Sequence, residues 1–169
     1  MRPSPEELLD SLRLSLNETL LPKVEDRWAR YVGTAMDLVL QHLKLRLAHE
    51  GDVLAEDDAD MLAVLASLGT RAAALAEQDT AGTAPRWEEL AGLVGAARTA
   101  EAGEHGATAR NEELRGVVVA VMRWLDEADG ADPAVEEMRD EVYRLVRRQV
   151  DRTRPLVEPL FMSFRPVAS

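Results

Sequence analysis

Three histidines and 31 carboxylates are the side chains in this chain that could hold a metal or move a proton. A di-metal site in a helical bundle needs Glu-x-x-His pairs, because ligands three residues apart share a helix face. No glutamate here is followed three residues later by histidine: Val39, Arg46 and Ala102 stand three before His42, His49 and His105. His42 and His49 are seven apart, wider than the i, i+4 spacing of a chelating pair on one helix. They read as partly exposed side chains, His49 close to the expected end of a helix. The densest acidic run is Glu50, Asp52, Glu56, Asp57, Asp58 and Asp60, but Met61 occupies the place where a calcium loop needs glycine. These acids read as charge gathered around a helix N-terminus near Asp57.

Other chemistries are excluded by residue type. With no cysteine there is no disulfide, thiol nucleophile, iron–sulfur cluster or Cys-ligated zinc. The chain has no G-x-S-x-G elbow, no GxxxxGK[ST] phosphate loop and no G-x-G-x-x-G fingerprint. Gly92-Leu93-Val94-Gly95 falls inside a helical pattern, where it cannot cradle a phosphate. No catalytic, cofactor-binding or metal-binding residue is therefore nominated. An enzyme whose carboxylates converge only in the fold stays open.

The elements that would position any site are helical throughout. Ala, Leu, Glu and Arg dominate, while aromatic residues make up 4% of the 169. Ser4, Pro5 and Glu7 form a capping box ahead of a leucine stripe at positions 8, 9, 12, 16 and 20, and Pro22 should stop that helix. A long second helix is expected over 24–49, with Gly51 as its breaker, then shorter ones over 57–68 and 71–78 with Gly69 between them. Further helices are expected over 85–100, 107–128 and 133–153. Gly92, Gly95 and Gly116 would mark close helix–helix approach. Pro155, Pro159 and Pro166 predict an irregular tail. The expected architecture is an all-α, single-domain bundle of six or seven helices over 1–154, with an apolar, proline-rich tail over 155–169.

Two features point to a partner. Arg144, Arg147, Arg148, Arg152 and Arg154 give the last helix a basic side on a chain that carries 20 Lys and Arg against 31 Asp and Glu. Such a side suits an anion or an acidic partner, or simply pairs with the acidic surface elsewhere. The tail holds both phenylalanines, and Leu160, Phe161 and Phe164 would anchor it on its own bundle or in a groove of another subunit. The net charge of −11 argues against nucleic acid. The proline-rich, acidic opening is unlike a signal peptide, and the longest apolar runs, 61–66 and 117–122, fall short of the ~20 residues of a spanning helix. A cytoplasmic location and no membrane partner are expected.

Arg2-Pro3-Ser4-x-x-Glu7-Leu8-Leu9-Asp10-x-Leu12-Arg13, continued by Leu16-x-Glu18-x-Leu20-Leu21-Pro22 and Arg27, resembles a small all-helical bacterial family. Its members are typically encoded beside an aminoglycoside-phosphotransferase-like kinase and an acyl-CoA dehydrogenase. The resemblance covers residues 2–68, with no counterpart for 70–110 or the tail. It implies an accessory subunit of such a kinase in hydroxyacyl-CoA catabolism, and it hands down no catalytic residues. The function expected is thus a non-catalytic helical interaction protein, plausibly an accessory subunit of a phosphotransferase-like kinase or another enzyme of acyl-CoA metabolism. Its partner would be that kinase, the dehydrogenase, or a second copy in a homodimer. The alternative is a bundle that binds an apolar or acyl ligand near Trp28, Tyr31 and Trp124.

Overall fold

The computed structural model describes residues 3–78, 84–102, 106–128 and 132–163. Among these there is no strand, and there are five α-helices: α1 (Pro5–Leu14), α2 (Arg27–Gln78), α3 (Ala84–Ala102), α4 (Ala107–Glu127) and α5 (Pro133–Ser163). The all-α class and the long second helix hold, and the count of six or seven gives way to five.

The start of α1 is the expected capping box. Ser4 Oγ accepts from the Glu7 N–H at 3.1 Å, and Glu7 Oε2 accepts from the Ser4 N–H at 2.8 Å. The chain then widens into a π-helix (Ser15–Leu20) and tightens into a 3-10 turn (Leu21–Lys23) around Pro22, so α1 does not end abruptly. Val24 is extended, and Asp26 Oδ1 accepts from the Ala29 N–H at 2.6 Å to start α2.

The expected breaks at Gly51 and Gly69 are both interior to α2, which runs unbroken for 52 residues and merges three expected helices into one. A helical glycine costs only about 1 kcal/mol relative to alanine, too little to end a helix whose apolar stripe has partners. The acids from Glu50 to Asp60 therefore sit in mid-helix and flank no N-terminus. Likewise α5, begun by Asp132 accepting from the Ala134 N–H at 2.9 Å, continues through Pro155 and Pro159 to Ser163, so the expected irregular tail from 155 is helical at its start. The two prolines are four residues apart, so the donors they remove are missing from one side of the helix while the other turns continue.

The chain separates into two compact units: unit 1 (Met1–Gly51 with Asp151–Ser169) and unit 2 (Asp52–Val150). Among the described residues, all of the buried apolar core lies in unit 2. Met61, Leu65 and Leu68 of α2, Leu90 of α3, Leu114, Val121 and Leu125 of α4, and Val135, Met138 and Leu145 of α5 are sealed from solvent. Their three- and four-residue spacing is that of single helix faces turned inward. Trp87 and Trp124 meet with ring centroids 5.8 Å apart, and the Arg86 guanidinium lies 5.0 and 5.2 Å from their centroids. The Trp124 N–H donates to Glu89 at 3.2 Å.

Unit 1 is held differently. Gly33 is the one buried position among its described residues, and a Cβ there would run into the Leu21 side chain. Polar contacts fasten α1 to α2. Arg13 grips Asp37 with Nε at 2.8 Å and Nη2 at 3.1 Å, Asn17 donates to the same carboxylate at 2.8 Å, and Lys44 reaches both oxygens of Asp10 at 2.7 Å. His42 Nδ1 lies 2.8 Å from the Leu156 carbonyl oxygen, tying α2 to α5.

The glycines expected to mark close approach do not. A Cβ at Gly92, Gly95 or Gly116 would meet nothing within 4 Å, whereas one at Gly69 would lie 3.1 Å from Val94 Cγ1. Close packing of α2 on α3 is thus carried by Gly69, the residue expected to end a helix. In urea unfolding, Gly116→Ala should raise stability by about 0.5–1 kcal/mol through helix propensity alone. Gly69→Ala should show less than that gain, because Val94 must give way.

Candidate functional site

The first half of α2 is built like a core helix and has no core on one side. Trp28 is 70% exposed, and Tyr31, Val32, Met36, Val39, Leu43 and Leu47 are all between 40% and 54% exposed. Steps of three and four residues put these side chains on one face of the helix, and the structure leaves that face bare. Asp37 and Lys44, which meet α1, lie roughly 120–150° round the helix from the middle of this face, by steps of about 100° per residue. Trp28 and Tyr31 stack with centroids 5.5 Å apart. Midway along the face, Val32, Ala35, Met36, Val39 and Leu40 line an open groove of about 310 Å³ with wholly apolar walls. The face ends at an ion pair between Arg46 and Glu50. On α1, Leu8 and Leu12 are also exposed, at 51% and 56%.

Trp28 and Tyr31 belong to one unit and Trp124 to the other. The first two stack on the surface of unit 1, while Trp124, 8% exposed, is part of the core of unit 2 against Trp87. The cleft in unit 2 is elsewhere, a groove of about 560 Å³ between α2 and α3, floored by Leu62, Leu65, Ala66 and Val94 with Arg98 on its lining.

Arg144, Arg147 and Arg148 are exposed on α5, as a docking side requires. Arg148 lies 3.5 Å from Asp60, and Arg144 Nε donates to the Asp140 carbonyl at 3.1 Å, so two of the three already have contacts within unit 2. The side chains of Leu160 and Phe161, on the last turns of α5, and the whole of Phe164 and His105 lie outside the described residues.

The acidic run contains what the sequence reading missed. Asp57 and Asp58 are buried at 0% and 3% exposure and point at α4. Asp58 accepts from Arg110 Nε and Asn111 Nδ2, each at 2.7 Å, and Asp57 accepts from Arg115 Nη2 at 3.1 Å. The signal was periodic: Asp57 continues the stripe of Met61, Leu65 and Leu68 backwards, and Asn111 does the same for Leu114, Val118 and Val121. Carboxylates occupied by arginine and asparagine fasten helices together. Among the described residues, no group of three or more His, Cys, Asp or Glu could hold a metal ion.

The Arg13 hydrogen bonds hold the Asp37 carboxyl below the usual carboxylate range, against the opposing pull of burial and with help from Asn17. The same bond raises the already high Arg13 value. A carboxyl depressed in the folded state stabilises above its unfolded value, near 3.9, and that stability is lost as pH falls through the folded value. Backbone amides of α1 should therefore gain hydrogen-exchange rate between pH 4 and pH 2, and in Asp37→Asn they should exchange faster at pH 7 with a flatter acid response.

Helix α2 is long and apolar enough, by length and composition, to cross a membrane, with a mean hydropathy of 1.3 in its most apolar window, 28% of it buried. The second half of the same helix supplies Met61, Leu65, Leu68 and Ala72 to the core of unit 2. Comparison with protein-family models, with curated proteins and with solved structures finds no match, so the geometry of the bare face carries the functional argument.

Proposed function

We propose that this chain is a non-catalytic helical interaction protein, an accessory subunit that works by protein–protein contact. The observation that carries the reading is the bare apolar face of α2 from Trp28 to Leu47. Its seven side chains expose on the order of 700 Å² of largely apolar surface, beyond the ~300–600 Å² of the largest patch on a typical monomer. The face lies inside the segment, 2–68, that resembles the bacterial family, and the resemblance supports a phosphotransferase-like kinase or another enzyme of acyl-CoA metabolism as the assembly it serves. The exposed arginines of α5 offer a second, polar contact. The acidic balance supports a cytoplasmic setting without nucleic acid, and the core role of α2 in unit 2 favours protein over membrane.

The tagged protein should capture that kinase or dehydrogenase stoichiometrically from lysate, identified by mass spectrometry. Recovery of no other chain overturns the accessory-subunit reading. Arg147→Glu with Arg148→Glu should weaken capture about tenfold if the basic side is used, and unchanged capture returns those arginines to the solvated surface.

The α2–α3 groove supports a second reading, an apolar-ligand site, because its volume falls within the range of small-molecule pockets. A fluorescent fatty acid should then bind saturably, and Gly95→Leu, placed in the groove lining, should abolish that binding without unfolding the bundle.

A further inference from the structure

We propose that the bare face of α2 is covered by the same face of a second copy of this chain, the two helices antiparallel about a two-fold axis passing between Met36 and Val39. The inference rests on the reading of this face as a protein-docking surface, and it names the occupant.

The first argument is spacing. With Tyr31 at the edge of the face, its other six side chains, Trp28, Val32, Met36, Val39, Leu43 and Leu47, follow one another at intervals of four, four, three, four and four, which read the same in both directions. An isologous two-fold contact requires a patch that is complementary to itself under reversal. An antiparallel copy centred between Met36 and Val39 sets Trp28 opposite Leu47, Val32 opposite Leu43 and Met36 opposite Val39, each contact occurring twice. The apolar groove of about 310 Å³ lies at that centre, where Val39 of the second copy would enter it, and Ala35 in its wall leaves the room.

Charge is the second argument. Residues 1–51 and 151–169 hold 10 Lys and Arg against 10 Asp and Glu, so unit 1 is neutral. Residues 52–150 hold 10 against 21 and carry the whole −11. Two copies can therefore meet through unit 1 without net repulsion, while the acidic surface of unit 2 opposes stacking through the rest of the molecule. A helix made to lie on a membrane carries an excess of Lys and Arg instead. The third argument is size: on the order of 700 Å² per copy approaches the ~800 Å² per partner that a standard interface buries.

Light scattering on the full chain should give twice 18.7 kDa for the wild type. Val39→Asp puts a charge at the axis and should raise the dimer dissociation constant at least ~30-fold, with unchanged circular dichroism because Val39 is 53% exposed in the single chain. The absence of cysteine allows a register test. An equimolar mixture of Met36→Cys and Val39→Cys should oxidise to the mixed disulfide faster than either variant links to itself. Faster self-linking of Val39→Cys indicates parallel helices and overturns the proposal, as does a Val39→Asp variant that remains dimeric. A monomeric wild type overturns it too, whether the face is then found covered by residues 164–169 or by a different protein. In that event, loss of a foreign subunit from Val39→Asp keeps the docking reading, and a Val39→Asp variant with every association intact removes both.

Discussion

The rest of the structure depends on the unequal burial along one helix. In its second half α2 gives Met61, Leu65, Leu68 and Ala72 to a core shared with α3, α4 and α5. In its first half a stripe of equal apolar quality, Trp28 to Leu47, meets solvent. The physics of the two halves is the same: an amphipathic helix is stabilised mainly by what its apolar face touches. Only the partners differ. Burial of side chains such as Leu65 and Leu68 is worth roughly 1.5–3 kcal/mol each, which lets the helix carry Gly51 and Gly69 without breaking.

Among the described residues of unit 1 only Gly33 is buried, and polar contacts hold its elements in register. The Arg13 fork on Asp37, with Asn17 on the same carboxylate, is partly buried, at 28% and 18% side-chain exposure, and fixes direction as well as distance. The Lys44–Asp10 pair is more exposed and contributes little beyond placement. The polar seam with α1 occupies one side of α2, and His42 meets the Leu156 carbonyl of α5 on another. Unit 2 uses the complementary device. Asp57 and Asp58 sit where its apolar stripe ends, and their bonds to Arg110, Asn111 and Arg115 are directional, so they set the register of α2 on α4 where apolar contacts would tolerate slippage.

Much of the fold was legible because local chemistry and tertiary structure agree there. The Ser4 capping box, the start of α5 at Pro133 and the helix over 107–127 each rest on spacing or capping that no neighbour overrides. The misreadings share one cause. Gly51, Gly69, Pro155 and Pro159 each carry a local cost to helix, and local cost loses to a helix already committed on both sides of the residue. The exposed glycines of α3 and α4 were credited with packing they do not do, since sequence shows that a side chain is missing and not whether a neighbour fills the space. The candidate face was visible as a stripe, but periodicity reports that a face is apolar and not what covers it. Here nothing in the described chain does.

That difference gives the bare face its meaning. A stripe that faced its own core would be free to vary its intervals with the helices it met, as the three- and four-residue steps of α4 do. Trp28, Val32, Met36, Val39, Leu43 and Leu47 instead have intervals symmetric about their midpoint, with the small Ala35 beside that midpoint and the largest of the six, Trp28, at one end. In an isologous pair the end of one copy lies against the opposite end of the other, so a single tryptophan supplies two anchors flanking an apolar centre. Affinity then follows from how well Trp28 seats against Leu47 more than from total area, because area alone does not convert into binding energy once the ordering of side chains is deducted. Tyr31, stacked on Trp28, reduces that cost by holding the indole in place before the partner arrives.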